Sequence, residues 1–150
     1  MEDEIFKSLD VELVFRLVLA TALGSLIGFE RESKNRPAGL RTHMLVSLGS
    51  ALFSMISISF EEDPTRIAAG IVAGIGFLGA GSIISSRQKV RGLTTAATLW
   101  IVAAIGLSIG TGFYVIGVVS AVIVFLILQL GHVEKRDYTE KDEEERTDGL

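Results

Sequence analysis

Two short stretches place basic and hydroxyl side chains where a helix is about to begin. Pro37-Ala38-Gly39-Leu40-Arg41-Thr42-His43 leads into one long apolar run, and Val90-Arg91-Gly92-Leu93-Thr94-Thr95 leads into another. A helix start offers unpaired N–H groups and the positive end of its dipole. Adding Arg41, Arg91 and the hydroxyls of Thr42, Thr94 and Thr95 gives the makings of an anion site. Its ligand would be a lipid headgroup, a phosphate or an acidic group on a partner. The competing reading is structural: the bases set membrane orientation and the threonines cap helices. Glu30-Arg31 closes the preceding apolar run. There Glu30 could bind a cation, pair with Arg41 or Arg91, or form an ordinary interfacial pair of small energetic value. His43 is either a hydrogen-bonded packing residue or a proton sensor. His132 is too distant in the chain to join it in a metal site.

Gly74-Ile75-Gly76-Phe77-Leu78-Gly79 fits the dinucleotide fingerprint G-x-G-x-x-G. That motif needs a preceding strand and an acidic residue about 20 positions on. Here it lies inside an unbroken apolar run, and no Asp or Glu occurs between Asp63 and Glu134. With no cysteine, no nucleophile–base pair and no metal set, the chain is read as a non-enzyme without cofactor or nucleic-acid partner.

The elements that must position these residues are five apolar segments, 11–29, 42–60, 67–86, 93–110 and 113–130. Each approaches the roughly 20 residues that a bilayer core requires. Arg16 is the only formal charge well inside any of them, and Glu12 four residues earlier lets it snorkel to the interface. The connections alternate. Arg31, Lys34, Arg36 and Arg41 mark the first; Glu61, Glu62 and Asp63 dominate the second; Arg87, Lys89 and Arg91 mark the third; the fourth is uncharged. The positive-inside rule then puts the N-terminus outside and the C-terminus in the cytoplasm. The expected fold is an all-α bundle of five transmembrane helices over residues 1–133, with 134–150 a charged, disordered cytoplasmic tail. Of eighteen acids and fourteen bases, eight and four fall in that tail, so the net charge of −4 comes from it. The acidic start, MEDE, and the lack of a small-residue cleavage site keep the first helix in the mature protein.

A shift of 53 residues aligns Gly28 with Gly81, Lys34 with Arg87, Arg36 with Lys89, Gly39-Leu40 with Gly92-Leu93, and Thr42 with Thr95. Helices one–two and three–four would be parallel copies of one hairpin, unless shared membrane composition alone produces the match. Ser47, Ser50, Ser54 and Ser57 share one helical face, which marks a helix–helix contact or a polar path. Gly24-x-x-x-Gly28, Gly70-x-x-x-Gly74 and Gly106-x-x-x-Gly110 suggest close helix approach or a dimer face, and Gly76, Gly79 and Gly81 extend the third helix's small-residue surface. A broken helix around 76–81 is the alternative there. Helices two to five carry no Asp or Glu, which speaks against a direct Mg²⁺ pore built on acidic rings.

GFERE (28–32), RPAGLRTHMLVSLGSALF (36–53), AAGIVAGIGFLGAGSII (68–84) and VRGLTTAATLWIVAAIGLSIGTGFY (90–114) together resemble the membrane domain of the MgtC/SapB family, over about residues 10–131. The resemblance implies a multi-pass bacterial inner-membrane protein linked to growth at low magnesium, better regarded as a regulator than as a Mg²⁺ carrier. Restraint of the ATP synthase is one role proposed in the family. Its motif residues fall here on Glu30, Arg31, Gly39, Arg41, Thr42 and His43, then Gly79, Gly81, Gly92, Thr95 and Trp100, the last taken as a packing position. Longer members carry a cytoplasmic regulatory domain that has no counterpart here beyond the tail, and some have Asn at the position of Thr94. Virulence-type activity is therefore not implied. The expected partners are the bilayer and another membrane protein or a second copy of the chain. The rival expectation is a transporter or channel for an ion or small anionic solute, with its site between the hairpins near Arg41 and Arg91.

Overall fold

The computed structural model describes residues 2–59, 64–85 and 90–130. Among them the chain forms α1 (Glu2–Ser33), α2 (Leu40–Ile58), α3 (Pro64–Gly81), β1 (Ile84–Ser85), β2 (Val90–Arg91), α4 (Leu93–Gly110) and α5 (Tyr114–Leu130). The two strands pair antiparallel, Ile84 opposite Arg91 and Ser85 opposite Val90. The acidic residues 61–63, Arg87, Lys89, His132 and the charged tail lie outside the described residues.

The five apolar segments become five helices, with the largest changes of boundary in α1 and α3. α1 begins at Glu2 rather than Val11, and α3 ends at Gly81 instead of continuing to residue 86. The early stop has a local cause. The N–H of Ser82 turns back to the Gly79 carbonyl and that of Ile83 to the Ala80 carbonyl, a tightened last turn. Gly92, which begins α4, then lies against the Ser82 backbone at φ +91°, where a side chain would both be strained and strike the Ser82 carbonyl. α3 itself runs unbroken through Gly76 and Gly79, so the alternative of a broken helix is not realised.

α4 is the hub and touches each of the other helices. Its buried residues, from Thr95 and Thr98 through Val102 and Ile105 to Ile109 and Gly110, recur every three or four positions. They cover more than one face, as a helix surrounded by neighbours requires. α2 runs parallel to α4: His43 lies beside Thr98, Ser47 beside Gly106 and Ser54 beside Gly110. α1 runs antiparallel to α2, with Gly24 against Ser47 and Gly28 against Leu40. Gly39 and Gly92, which the 53-residue shift aligns, are the N-caps of α2 and α4. Their backbones differ, extended at Gly39 and left-handed at Gly92.

The inner faces mix small, polar and apolar residues, while large apolar side chains cover the outside. α2 buries His43, Ser47, Ser50, Ala51, Ser54 and Ser57 while exposing Leu45, Leu52, Phe53, Ile56 and Ile58. α5 buries Gly117, Ala121 and Leu128 and exposes Val115, Ile116, Val119, Ile123 and Leu126. In water this arrangement would forfeit the hydrophobic driving force; in hydrocarbon it loses nothing, and small residues gain by letting backbones approach. Two helices, α1 from Val11 and α4, are long and apolar enough to cross a membrane. α3 and α5 are shorter apolar helices, the 17 residues of α5 spanning about 25 Å.

Candidate functional site

The C-terminal end of α1 and the N-terminal ends of α2 and α4 meet at one end of the bundle, and polar side chains are buried there. Glu30 is 3% exposed, Arg31 4% and His43 0%. Thr95 and Thr98 are buried with them. Lys34, one helical turn after Glu30, brings its Nζ to 2.5 Å from Glu30 Oε1, as an ion-pair contact without the angles of a directed hydrogen bond. It also donates to the Leu128 carbonyl and to Gln129 Oε1, both at 3.3 Å, tying α1 to the end of α5. Arg31 reaches Glu30 Oε2 only at 3.5 Å through Nη1, and its buried Nε has no hydrogen-bond partner among the described residues.

His43 is held at both ring nitrogens. Nδ1 lies 2.8 Å from the Gly39 carbonyl, which can only accept, so Nδ1 carries a hydrogen. Nε2 lies 3.2 Å from the Thr98 hydroxyl, itself 2.8 Å from the Thr95 carbonyl. The single hydroxyl hydrogen of Thr98 serves either the Thr95 carbonyl or Nε2, so the hydroxyl follows the protonation of the ring. The arrangement is a buried polar chain from α2 into α4.

The remaining residues anticipated here divide differently. Arg41, Thr42, Arg91 and Thr94 are exposed. Glu30 pairs with Lys34, not with Arg41 or Arg91, because positions four apart on one helix meet without any long-range fit. No threonine side chain caps α2 or α4. For α2 that service comes from α1: Glu32 Oε2 accepts the Leu40 N–H at 2.7 Å, close to Gly39, where a side chain would collide with it. Arg31, Thr94 and Thr95 do come together, with Lys34 and Arg36, around a cavity of about 500 Å³ between α1, the α4 start and α5. Lys34, read from the sequence as a base of the first connection, gains a second role as the partner of Glu30 four positions earlier. Thr98 is an addition to the sequence reading, and its spacing of three from Thr95 was the available signal.

The glycines sort into two groups. A side chain on Gly24 would meet the His43 carbonyl at 2.7 Å, one on Gly28 the Leu40 Cα at 2.8 Å, and one on Gly110 the Ala51 carbonyl at 2.5 Å. On Gly106 it would overlap the Ser47 backbone. The Ser47 hydroxyl, pressed between Gly24 and Gly106, donates to the Ala20 carbonyl at 2.7 Å. On α3, by contrast, a side chain on Gly70, Gly74, Gly76 or Gly81 would meet nothing within 4 Å among the described residues, and one on Gly79 meets Ala96 only at an ordinary 3.6 Å. The close approach expected of the α3 glycines is not made among the described residues. Gly70 and Gly74 instead line an apolar groove of about 570 Å³ between α2 and α3. Trp100 is half-exposed on the outside of α4, not packed inside.

At the opposite end Arg16 does more than snorkel. Its Nη1 donates to the Gly110 carbonyl at 2.8 Å and its Nε to the Tyr114 hydroxyl at 3.0 Å, while Nη2 pairs with Glu12 at 2.5 Å. Tyr114 donates to Glu12 Oε1 at 2.8 Å and stacks edge-on with Phe15. The guanidinium thus takes up a carbonyl left unpaired at the end of α4 and joins three helices.

Comparison with known proteins places the whole bundle in one group. The family model of the MgtC family matches residues 17–136. YhiD of Escherichia coli (strain K12), named "Putative magnesium transporter YhiD", is 44% identical over 131 residues, covering 81% of this chain and 61% of that protein. Protein SrpB of Synechococcus elongatus is 45% identical over 77% of this chain and 72% of its own. Protein MgtC of Brucella abortus is 50% identical over 72% of this chain and 46% of its own. The chain thus spans about three fifths of the Escherichia coli relative and under half of the Brucella one. No solved structure matches.

Proposed function

Because this chain belongs to the MgtC family, we propose that it is a non-enzymatic inner-membrane protein of bacterial magnesium and ionic homeostasis that regulates a membrane partner through helix contacts. In this reading all five helices span the bilayer. The N-terminus is outside, and the Glu30–Arg31–His43 end faces the cytoplasm, as the basic first and third connections require. The observation that carries the regulatory role is the open glycine surface of α3. Gly70, Gly74 and Gly76 leave room for another backbone that none of the described helices fills. Small-residue faces of this kind drive association in lipid, where apolar burial contributes little between helices.

The growth of a deletion strain at low magnesium tests it. A Cβ at Gly74 meets nothing within 4 Å among the described residues, so Gly74→Leu fills the surface at a position with space for it and should insert normally and fail to restore growth. Full complementation by both Gly70→Leu and Gly74→Leu would sink the reading.

A second reading, transport, is favoured by the name of the Escherichia coli relative. It would place a solute between the hairpins beside the buried Glu30. Among the described residues no group of three His, Asp or Glu is placed to hold a metal ion, so a magnesium path would run on carbonyls, hydroxyls and retained waters. Saturable Mg²⁺ flux into proteoliposomes, abolished by Glu30→Gln, would establish transport; its absence in folded, inserted protein would leave regulation ahead.

A further inference from the structure

The cavity at the start of α4 has features that neither the bundle's packing nor the α3 surface explains. Three cations line it, Arg31, Lys34 and Arg36, together with the Thr94 and Thr95 positions, and the end of α5 supplies its apolar wall. The only buried carboxylate among the described residues, Glu30, is engaged by Lys34 at 2.5 Å. Arg31 is left with a 3.5 Å approach to the other Glu30 oxygen and a buried Nε without a partner among the described residues. A guanidinium this deeply buried demands an anion and a full set of acceptors. Arg36 adds a further positive charge at the rim.

The helix itself adds donors. α4 starts on Gly92 with no side-chain cap, and the first N–H to find a helical acceptor is that of Ala96, on the Gly92 carbonyl. The N–H groups of Leu93, Thr94 and Thr95 are therefore free of the helix ladder and stand at the positive end of an 18-residue dipole. A planar guanidinium beside a helix N-terminus and a hydroxyl is the chemistry that recognises a tetrahedral oxyanion.

We propose that this cavity binds a phosphate group, with Arg31 and the first turn of α4 as its floor and Arg36 and Thr94 at its mouth. Two sources share that chemistry, the headgroup of an anionic phospholipid and a free phosphate from the cytoplasm. The assignment rests on placing this end of the bundle at the cytoplasmic surface, but not on the choice between regulation and transport.

The test uses the full chain in phosphatidylcholine nanodiscs titrated with radiolabelled inorganic phosphate, and in nanodiscs containing phosphatidylglycerol assayed for lipid retained after detergent exchange. Arg36→Gln and Thr94→Val alter exposed positions and leave the bundle intact; Arg31→Gln removes the buried charge. Phosphate binding that falls at least tenfold in Arg31→Gln and Arg36→Gln assigns the site to the free ion. Retention of phosphatidylglycerol without phosphate binding, lost in the same variants, assigns it to the lipid. Should Arg31→Gln not fold, Arg36→Gln and Thr94→Val decide alone. Binding of neither probe by helical wild-type protein, or equal binding by the variants, overturns the proposal. The readout is binding only, so its failure leaves the growth test of Gly74→Leu standing, and the converse holds.

Discussion

Gly106 on α4 and Gly74 on α3 belong to the same sequence motif, yet they meet opposite surroundings. A side chain at Gly106 would overlap the backbone of Ser47, whereas one at Gly74 would meet nothing within 4 Å. The difference follows from what faces each helix. α2 turns a ridge of His43, Ser47, Ala51 and Ser54 toward α1 and α4, and these narrow side chains let both backbones close in. Toward α3 it turns Leu45, Val46, Gly49, Ser50 and Phe53, the α2 wall of a groove that leaves Gly49 and Gly74 without a close neighbour among the described residues. Small residues on both helices permit close packing but do not by themselves bring it about.

Replacing Gly106 by Leu gives the largest effect expected. Overpacking a well-filled contact costs about 3 kcal/mol, and here the obstacle is backbone, which cannot rotate aside. Denaturant titration of the purified variant should show an early transition or no folded state. Wild-type stability would mean that α2 and α4 are not in contact as described.

Arg16→Met tests the far end of the same closed side. The variant loses donors to the Gly110 carbonyl and the Tyr114 hydroxyl and the ion pair with Glu12. Hydrogen bonds involving a charged group contribute about 2 kcal/mol, and that loss should appear in the same titration. Tyr114→Phe removes less, since Arg16 still holds the α4 carbonyl.

Ser47→Ala is milder. It deletes the bond to the Ala20 carbonyl without opening a space that a helix must cross. Interhelical hydrogen bonds in membrane proteins average about 0.6 kcal/mol, so a shift of that order is expected. A loss comparable to that of Gly106→Leu would show that Ser47 does more than tie α1 to α2.

These residues also show what the sequence could and could not reveal. Five helices follow from the lengths of the apolar runs, and the serine face of α2 from its spacing of three and four, because both are periodic signals along one chain. Which glycine ridge is closed depends on the residues opposite it, and that partnership is written in no single segment. The same limit applies at the polar end. Arg31, Thr94 and Thr95 stand together around one cavity, but Arg41 and Arg91, each beside a helix start, point away into exposed positions. By its sequence position Glu30 could bind a cation, pair with Arg41 or Arg91, or form an ordinary charge pair, and the structure pairs it with Lys34 one turn on. The hairpin of β1 and β2 was missed because two-residue strands carry no alternation to read.

Gly74→Ala carries the smallest expected effect and separates the two sides most sharply. On an exposed helical position alanine is favoured over glycine by about 1 kcal/mol through backbone entropy alone. Nothing among the described residues opposes the added methyl at Gly74. The purified protein should therefore be unchanged or slightly more stable, while the same substitution at Gly106 destabilises. In native membranes the sign should change if a partner helix lies on α3, since the methyl then occupies the space that the partner's backbone needs. The contrast between detergent and membrane, measured as protease resistance of the same variant, thus reports on the partner without identifying it. Destabilisation by Gly74→Ala in detergent to the extent of Gly106→Ala would show that α3 is closed within the chain and that no such surface exists.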